Sequence, residues 1–247
     1  MSTQGEVNLS ESGGVRYLHF GTEWVQGAMR MDAPFDLALE YVQRMMAWLL
    51  FVPAPSVAGR RAMQLGLGAG AITKFCHRRL RMICTAVECN PRVPEVCRAW
   101  LRLPPDDARL RVLIADAAQE IRRPQWLGSV DALAVDLYDD QAAAPVLDSA
   151  AFYADCRRLL TDDGCMAVNL FGRSASFESS LARITQAFGA RAVWLFRPTR
   201  EGNTVVLAQR TPTRPSPDAL RAQADEIETR WALPARKWLK TLKAIEK

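Results

Sequence analysis

At 247 residues, with 49% apolar and 24% charged side chains, the chain can bury one sizeable α/β core, and its composition excludes a disordered or fibrous protein. The formal charge of +5 is mild and concentrated towards the C-terminus, so nucleic acid is not an expected partner. The longest apolar stretch, residues 45–54, is too short to cross a bilayer, and the first residues lack a basic-then-apolar leader; no membrane partner is expected and the cytoplasm is the expected location.

Residues 1–14 are polar, end in Gly-Gly and are expected to be frayed. Residues 15–20 and 24–31 alternate at period two around Gly21-Thr22-Glu23, which predicts a hairpin. From Asp36 the spacing of Leu37, Tyr41, Val42, Met45, Met46 and Leu49 predicts a helix that stops before Pro53, so that residues 15–55 form a small hairpin-and-helix unit. Strands are then predicted at 62–66, 82–87, 109–115, 132–135, 165–170, 192–197 and 204–209. Helices are predicted between them at 70–80, 91–101, 117–122, 148–160 and 174–188. The turn at 199–203 is too short for a crossover, so the last strand pair is antiparallel. The fold class is therefore α/β: a doubly wound, mostly parallel seven-stranded sheet over 56–210. Residues 211–247 hold a proline-rich linker, a helix at 218–231 and a basic tail expected to lie on the body through Trp231 and Trp238.

In such a sheet, ligands bind beyond the carboxyl ends of the strands. Gly66, Gly68 and Gly70 follow the first of these strands, where glycine permits positive φ and close backbone approach to a ligand. Glu88 ends the next strand about twenty residues on, where a carboxylate can accept from both ribose hydroxyls of an adenosine. The third strand ends at Asp116-Ala117, positioned for an adenine amino group; Asp116 is equally suited to cap the following helix. The fourth ends at Asp136-Leu137-Tyr138-Asp139-Asp140, three carboxylates suited to receive a cationic amine or sulfonium and to accept a proton. Six cysteines without a Cys-x-x-Cys pair, and only two histidines, are read as buried thiols; no metal is expected.

Taken together, these residues resemble the polyamine aminopropyltransferases, the spermidine synthase family, over residues 15–209, and hence the class I S-adenosylmethionine methyltransferase-like fold. The resemblance implies transfer of an aminopropyl group from decarboxylated S-adenosylmethionine to a diamine such as putrescine. It implies that Gln26 lies near the thioadenosine, that the 66–70 loop and Glu88 hold the cofactor, and that Asp116-Ala117 meets the adenine. Asp136-x-x-Asp139 is similar to the family's acidic motif: Asp136 is implied as base and Asp139 as amine anchor, with Tyr138 and Asp140 assisting. A homodimer is implied too, contacting through the N-terminal hairpin and first helix. Where the family carries an acid facing the donor's amine, this chain has Ala69, and Leu137 and Tyr138 replace two hydroxyl residues. The residues thus leave open a methyltransferase using intact S-adenosylmethionine on a small molecule, or a catalytically silent nucleoside-binding scaffold.

Overall fold

The alternation at the N-terminus folds into a three-stranded antiparallel sheet of β1 (Val7–Ser12), β2 (Val15–Phe20) and β3 (Gly27–Arg30). The computed structural model describes residues 6–137, 147–171 and 175–245. β1 lies in the stretch expected to be frayed. Gly13 and Gly14 both adopt positive φ, +57° and +77°, and close a two-residue hairpin instead of ending a tail.

The helix expected over 36–49 is shorter than its spacing suggested. α1 covers Glu40–Arg44, and the chain continues as a 3-10 turn, Ala47–Phe51. Residues 45–50 are all buried, so no single apolar face favours a continuous α-helix there.

The β-α alternation then builds the central sheet from β4 (Arg61–Leu65), α2 (Ala71–Arg78), β5 (Ile83–Glu88), α3 (Arg92–Trp100), β6 (Leu110–Ile114), α4 (Ala117–Glu120) and β7 (Val130–Val135). It continues with α5 (Ala150–Leu159), β8 (Leu160–Phe171), α6 (Ala175–Phe188), β9 (Val193–Phe196) and β10 (Asn203–Gln209). The tail contributes α7 (Pro217–Trp231), α8 (Ala235–Trp238) and β11 (Leu242–Ala244). The strand order is β11-β9-β10-β8-β7-β4-β5-β6, with β8 through β6 parallel and β10 and β11 antiparallel to their neighbours.

The seven expected strands are thus joined by an eighth, β11, which pairs with β9 at the sheet edge. The basic tail does lie on the body: Trp238 is buried, and Gln223 Nε2 donates to the carbonyls of Leu49 and Val52 at 2.9 and 2.6 Å.

Alternate residues of the central strands feed two cores. Ala62, Val205 and Leu207 pack with Trp48, Phe75 and Ile227 on one face; Met63, Leu65 and Val206 pack with Tyr153 and Ile184 on the other. A sheet covered on both faces leaves its carboxyl edge as the open end. The chain winds from β4 towards β6 and then returns to place β7 on the other side of β4. The crevice between β4 and β7 is the topological switch point at which such sheets receive ligands.

Candidate active site at the carboxyl edge

β4 is followed by the glycine turn, and β7 by Asp136. The two are in contact: Asp136 N donates to Leu65 O at 3.0 Å, and a Cβ on Gly66 would stand 2.2 Å from Asp136 O. Gly66, with φ of +81°, is therefore required both by its backbone conformation and by this close approach. The turn is braced from beneath by Gln64. Its Nε2 donates to Gly66 O at 2.7 Å and Leu67 O at 3.1 Å, while its Oε1 accepts from Thr73 N and Oγ1 at 3.0 and 2.6 Å. All four hydrogen-bonding capacities of this buried amide are used. Gly70 caps α2, with φ of +66°.

Glu88 is buried beside the turn. Its Oε2 accepts from Leu67 N at 2.9 Å, and its Oε1 from Asn90 N at 3.0 Å and Cys89 Sγ at 3.6 Å, which leaves acceptor capacity on Oε2 for a ligand hydroxyl. Asp116 is exposed and caps α4, accepting from Gln119 N at 2.9 Å; Ala117 follows as the first helical residue. The capping alternative is thus realised, and it occupies one carboxylate oxygen. Cys89 and Ile114 are exposed at the same edge, beyond β5 and on β6.

From the other side, β3 closes over the turn. Gln26 O would lie 2.8 Å from a Cβ on Gly68, and a Cβ on Gly27 would lie 2.6 Å from that of Ala69. Ala69 is consequently 2% exposed, packed under the N-terminal sheet. Gln26 Nε2 is buried with no hydrogen-bond partner among the described residues, an uncompensated donor at the edge of the glycine turn.

Asp136 is held by neutral donors. Tyr41 Oη donates to its Oδ2 at 3.2 Å and Asn169 Nδ2 to its Oδ1 at 2.9 Å. Asn203 Nδ2 donates in turn to Asn169 Oδ1 at 3.1 Å. Burial pushes the Asp136 pKa above the ordinary carboxylate value, and the two donors only partly oppose it. The carboxylate is half-buried and has no cationic partner among the described residues, an arrangement suited to taking a proton from an ammonium. Tyr138, Asp139 and Asp140, the remainder of the predicted acidic motif, lie outside the described residues.

No protein-family model matches the chain. A curated polyamine aminopropyltransferase from Chromobacterium violaceum is 34% identical to it over 240 residues, covering 96% of this chain and 89% of the relative. The chain belongs to the polyamine aminopropyltransferase family. Among solved structures, a probable spermidine synthase from Corynebacterium glutamicum superposes with a TM-score of 0.74 at 19% identity, covering 90% of this chain and 83% of the other. Human methyltransferase-like protein 13, in complex with SAH, gives 0.70 at 23% identity, covering 79% and 93%. These two likenesses establish the methyltransferase-like fold, with the N-terminal antiparallel sheet set against it.

The chain thus brings Gln26, Glu88 and Asp136 against the glycine turn, with the exposed Asp116 following β6 at the same sheet edge. Sequence reasoning missed Tyr41, Gln64, Asn169 and Asn203. Tyr41 was read as part of an apolar helix face, and the two asparagines carry no local motif that marks them. Among the described residues no three His, Cys, Asp or Glu side chains converge as a metal site, and none of the helices is long and apolar enough to cross a membrane.

Proposed function

We propose that the protein moves an aminopropyl group from decarboxylated S-adenosylmethionine to a diamine such as putrescine, with Asp136 as the general base. The observation that carries this reading is a half-buried carboxylate at the switch point, held by Tyr41 and Asn169 with no cation spent on it among the described residues. An acceptor ammonium entering the crevice supplies the missing charge and loses its proton to Asp136. The freed nitrogen lone pair then attacks the carbon bonded to the sulfonium, the C–S bond breaks, and its electrons return to sulfur, leaving the neutral thioether methylthioadenosine.

In this reading the donor's nucleoside rests on Gly66, Gly68 and Gly70. Glu88 accepts from its ribose, Asp116 and Ala117 meet its adenine, and the unsatisfied Gln26 Nε2 faces it from β3. Asp139 anchors the acceptor amine, with Tyr138 and Asp140 assisting. We further propose a cytoplasmic homodimer joined through the N-terminal unit (15–55), with 56–210 as catalytic domain and 211–247 a tail.

A second reading, methyl transfer from intact S-adenosylmethionine, is favoured by Ala69, which offers no acid for a donor amine. Titration calorimetry with S-adenosylmethionine, its decarboxylated form and methylthioadenosine separates the two. Preference for the decarboxylated donor is expected. Preference for the intact cofactor overturns the aminopropyl reading, and failure to bind any of the three favours a silent scaffold.

A further inference from the structure

The antiparallel course of β10 brings its first residue, Asn203, to the carboxyl edge where β7 and β8 end. In the ladder Asn203 opposes Phe171 and Val205 opposes Asn169, which makes the two asparagines diagonal neighbours on one face. The main chain of Asn203 is fixed by the preceding turn: its N–H donates to Thr199 Oγ1 at 3.2 Å and its carbonyl accepts from Thr199 N at 2.7 Å, with Thr199 itself buried. From this fixed point the Asn203 amide reaches Asn169 Oδ1.

A carboxamide has a donor end and an acceptor end, and which end faces a carboxylate decides the effect. The NH2 end favours the ionised acid; the oxygen end repels it and favours the neutral acid. Donation from Asn203 to Asn169 Oδ1 selects the orientation that turns the Asn169 NH2 towards Asp136. We propose that Asn203 is a positioning residue, holding the Asn169 amide so that it donates to Asp136. The inference rests on the reading of Asp136 as the base.

Among the described residues, the other polar and ionisable groups near Asp136 are few. From α1, the Tyr41 phenol donates to the second carboxylate oxygen, while Glu40 and Arg44 of the same helix pair with each other and Arg44 also donates to Arg197 O. β10 has no ionisable side chain, nor has the glycine turn. Asp131, at the far end of β7, is tied to Arg60 and to Arg61 N; Asp162 and Asp163 lie near the start of β8, away from Asn169. Burial favours the neutral acid, and the donated hydrogen bonds oppose it in favour of the ionised form.

The test uses the full chain with Asn203→Leu, which deletes the donor, and the isosteric Asn203→Asp, whose carboxylate can only accept when ionised. Asp136→Asn serves as the control. Two quantities are read: the pH dependence of kcat for aminopropyl transfer to putrescine, and the pH titration of the Asp136 Cγ resonance in ¹³C-Asp-labelled protein, assigned by its loss in Asp136→Asn. The rising limb of kcat and the Cγ midpoint are expected to move together to higher pH, by about half a unit or more in Asn203→Leu and further in Asn203→Asp. A merely structural role lowers stability or kcat without moving either midpoint. Wild-type midpoints in both variants overturn the proposal, and Asp136 midpoints displaced to lower pH do the same. If Asn203→Leu does not fold, the isosteric variant decides alone. Turnover surviving in Asp136→Asn removes the base assignment, but the Cγ titration still judges Asn203, so the two readings fail separately.

Discussion

Gly66→Ala tests the contact on which the crevice depends. Two costs arise at this position. An alanine must adopt φ of +81°, a strain of about 1 kcal/mol. Its methyl must also stand clear of Asp136 O, which lies 2.2 Å from the ideal Cβ, whereas ordinary contact begins at 3.4 Å; the strand ends must therefore separate by about 1.2 Å. Overpacking of this kind costs about 1–3 kcal/mol, giving a total of roughly 2–4 kcal/mol. At about 2–4 °C per kcal/mol for a chain of this size, Tm is expected to fall by roughly 5–15 °C. The displaced atom belongs to the backbone of the proposed base, and a misplacement of about 1 Å lowers kcat roughly 10²-fold. Gly128→Ala is the matched control: its φ is +60°, but nothing lies within 4 Å of the added methyl, so it pays strain alone. Scanning calorimetry and steady-state turnover on both variants measure the difference. Equal Tm losses and unchanged kcat in Gly66→Ala would refute the argument, because they would show that conformation alone, and not the approach to Asp136, requires glycine there.

Two further outcomes follow from buried ionisable groups. The folded pKa of Asp136 is raised above its ordinary value of 3.8, so its ionisation costs stability. Asp136→Asn is expected to melt higher than the wild type at pH 8, with the gap closing as pH falls through the folded pKa towards 3.8; a lower Tm at pH 8 contradicts this sign. Lys74 is 1% exposed, its Nζ donates to Leu101 O at 2.6 Å, and burial pushes its pKa down to about 8 from 10.5. The charging penalty is absent above pH 10.5 and complete below about pH 8, amounting to about 3 kcal/mol at most. Wild-type stability should therefore gain about 2–3 kcal/mol on Lys74→Met between pH 7.5 and 10.5 in urea unfolding; parallel pH profiles would refute it.

What the sequence by itself determined is local or periodic. Glycine at 66, 68 and 70 answers to backbone φ, and the β-α alternation with near-continuous apolar strands answers to burial on both sheet faces. Since a doubly wound sheet binds ligands at the carboxyl ends, Glu88, Asp116 and Asp136 could be marked one strand at a time. The antiparallel last pair followed from the length of one turn. The tertiary structure decided what depends on meetings between distant segments. The three residues of β11 have no periodicity of their own and become a strand only through the open edge of β9. Val7–Ser12 looked like tail until Gly13 and Gly14 folded it onto β2. Tyr41 has the apolar spacing of a core residue, and its hydroxyl acquires a role only because α1 packs beside the end of β7. Asn169 and Asn203 lie on strands whose antiparallel register sets them diagonally opposite. A neutral amide carries no charge or pattern that marks it in sequence; its effect on Asp136 is one of orientation, fixed only when the partners that hold it are in place.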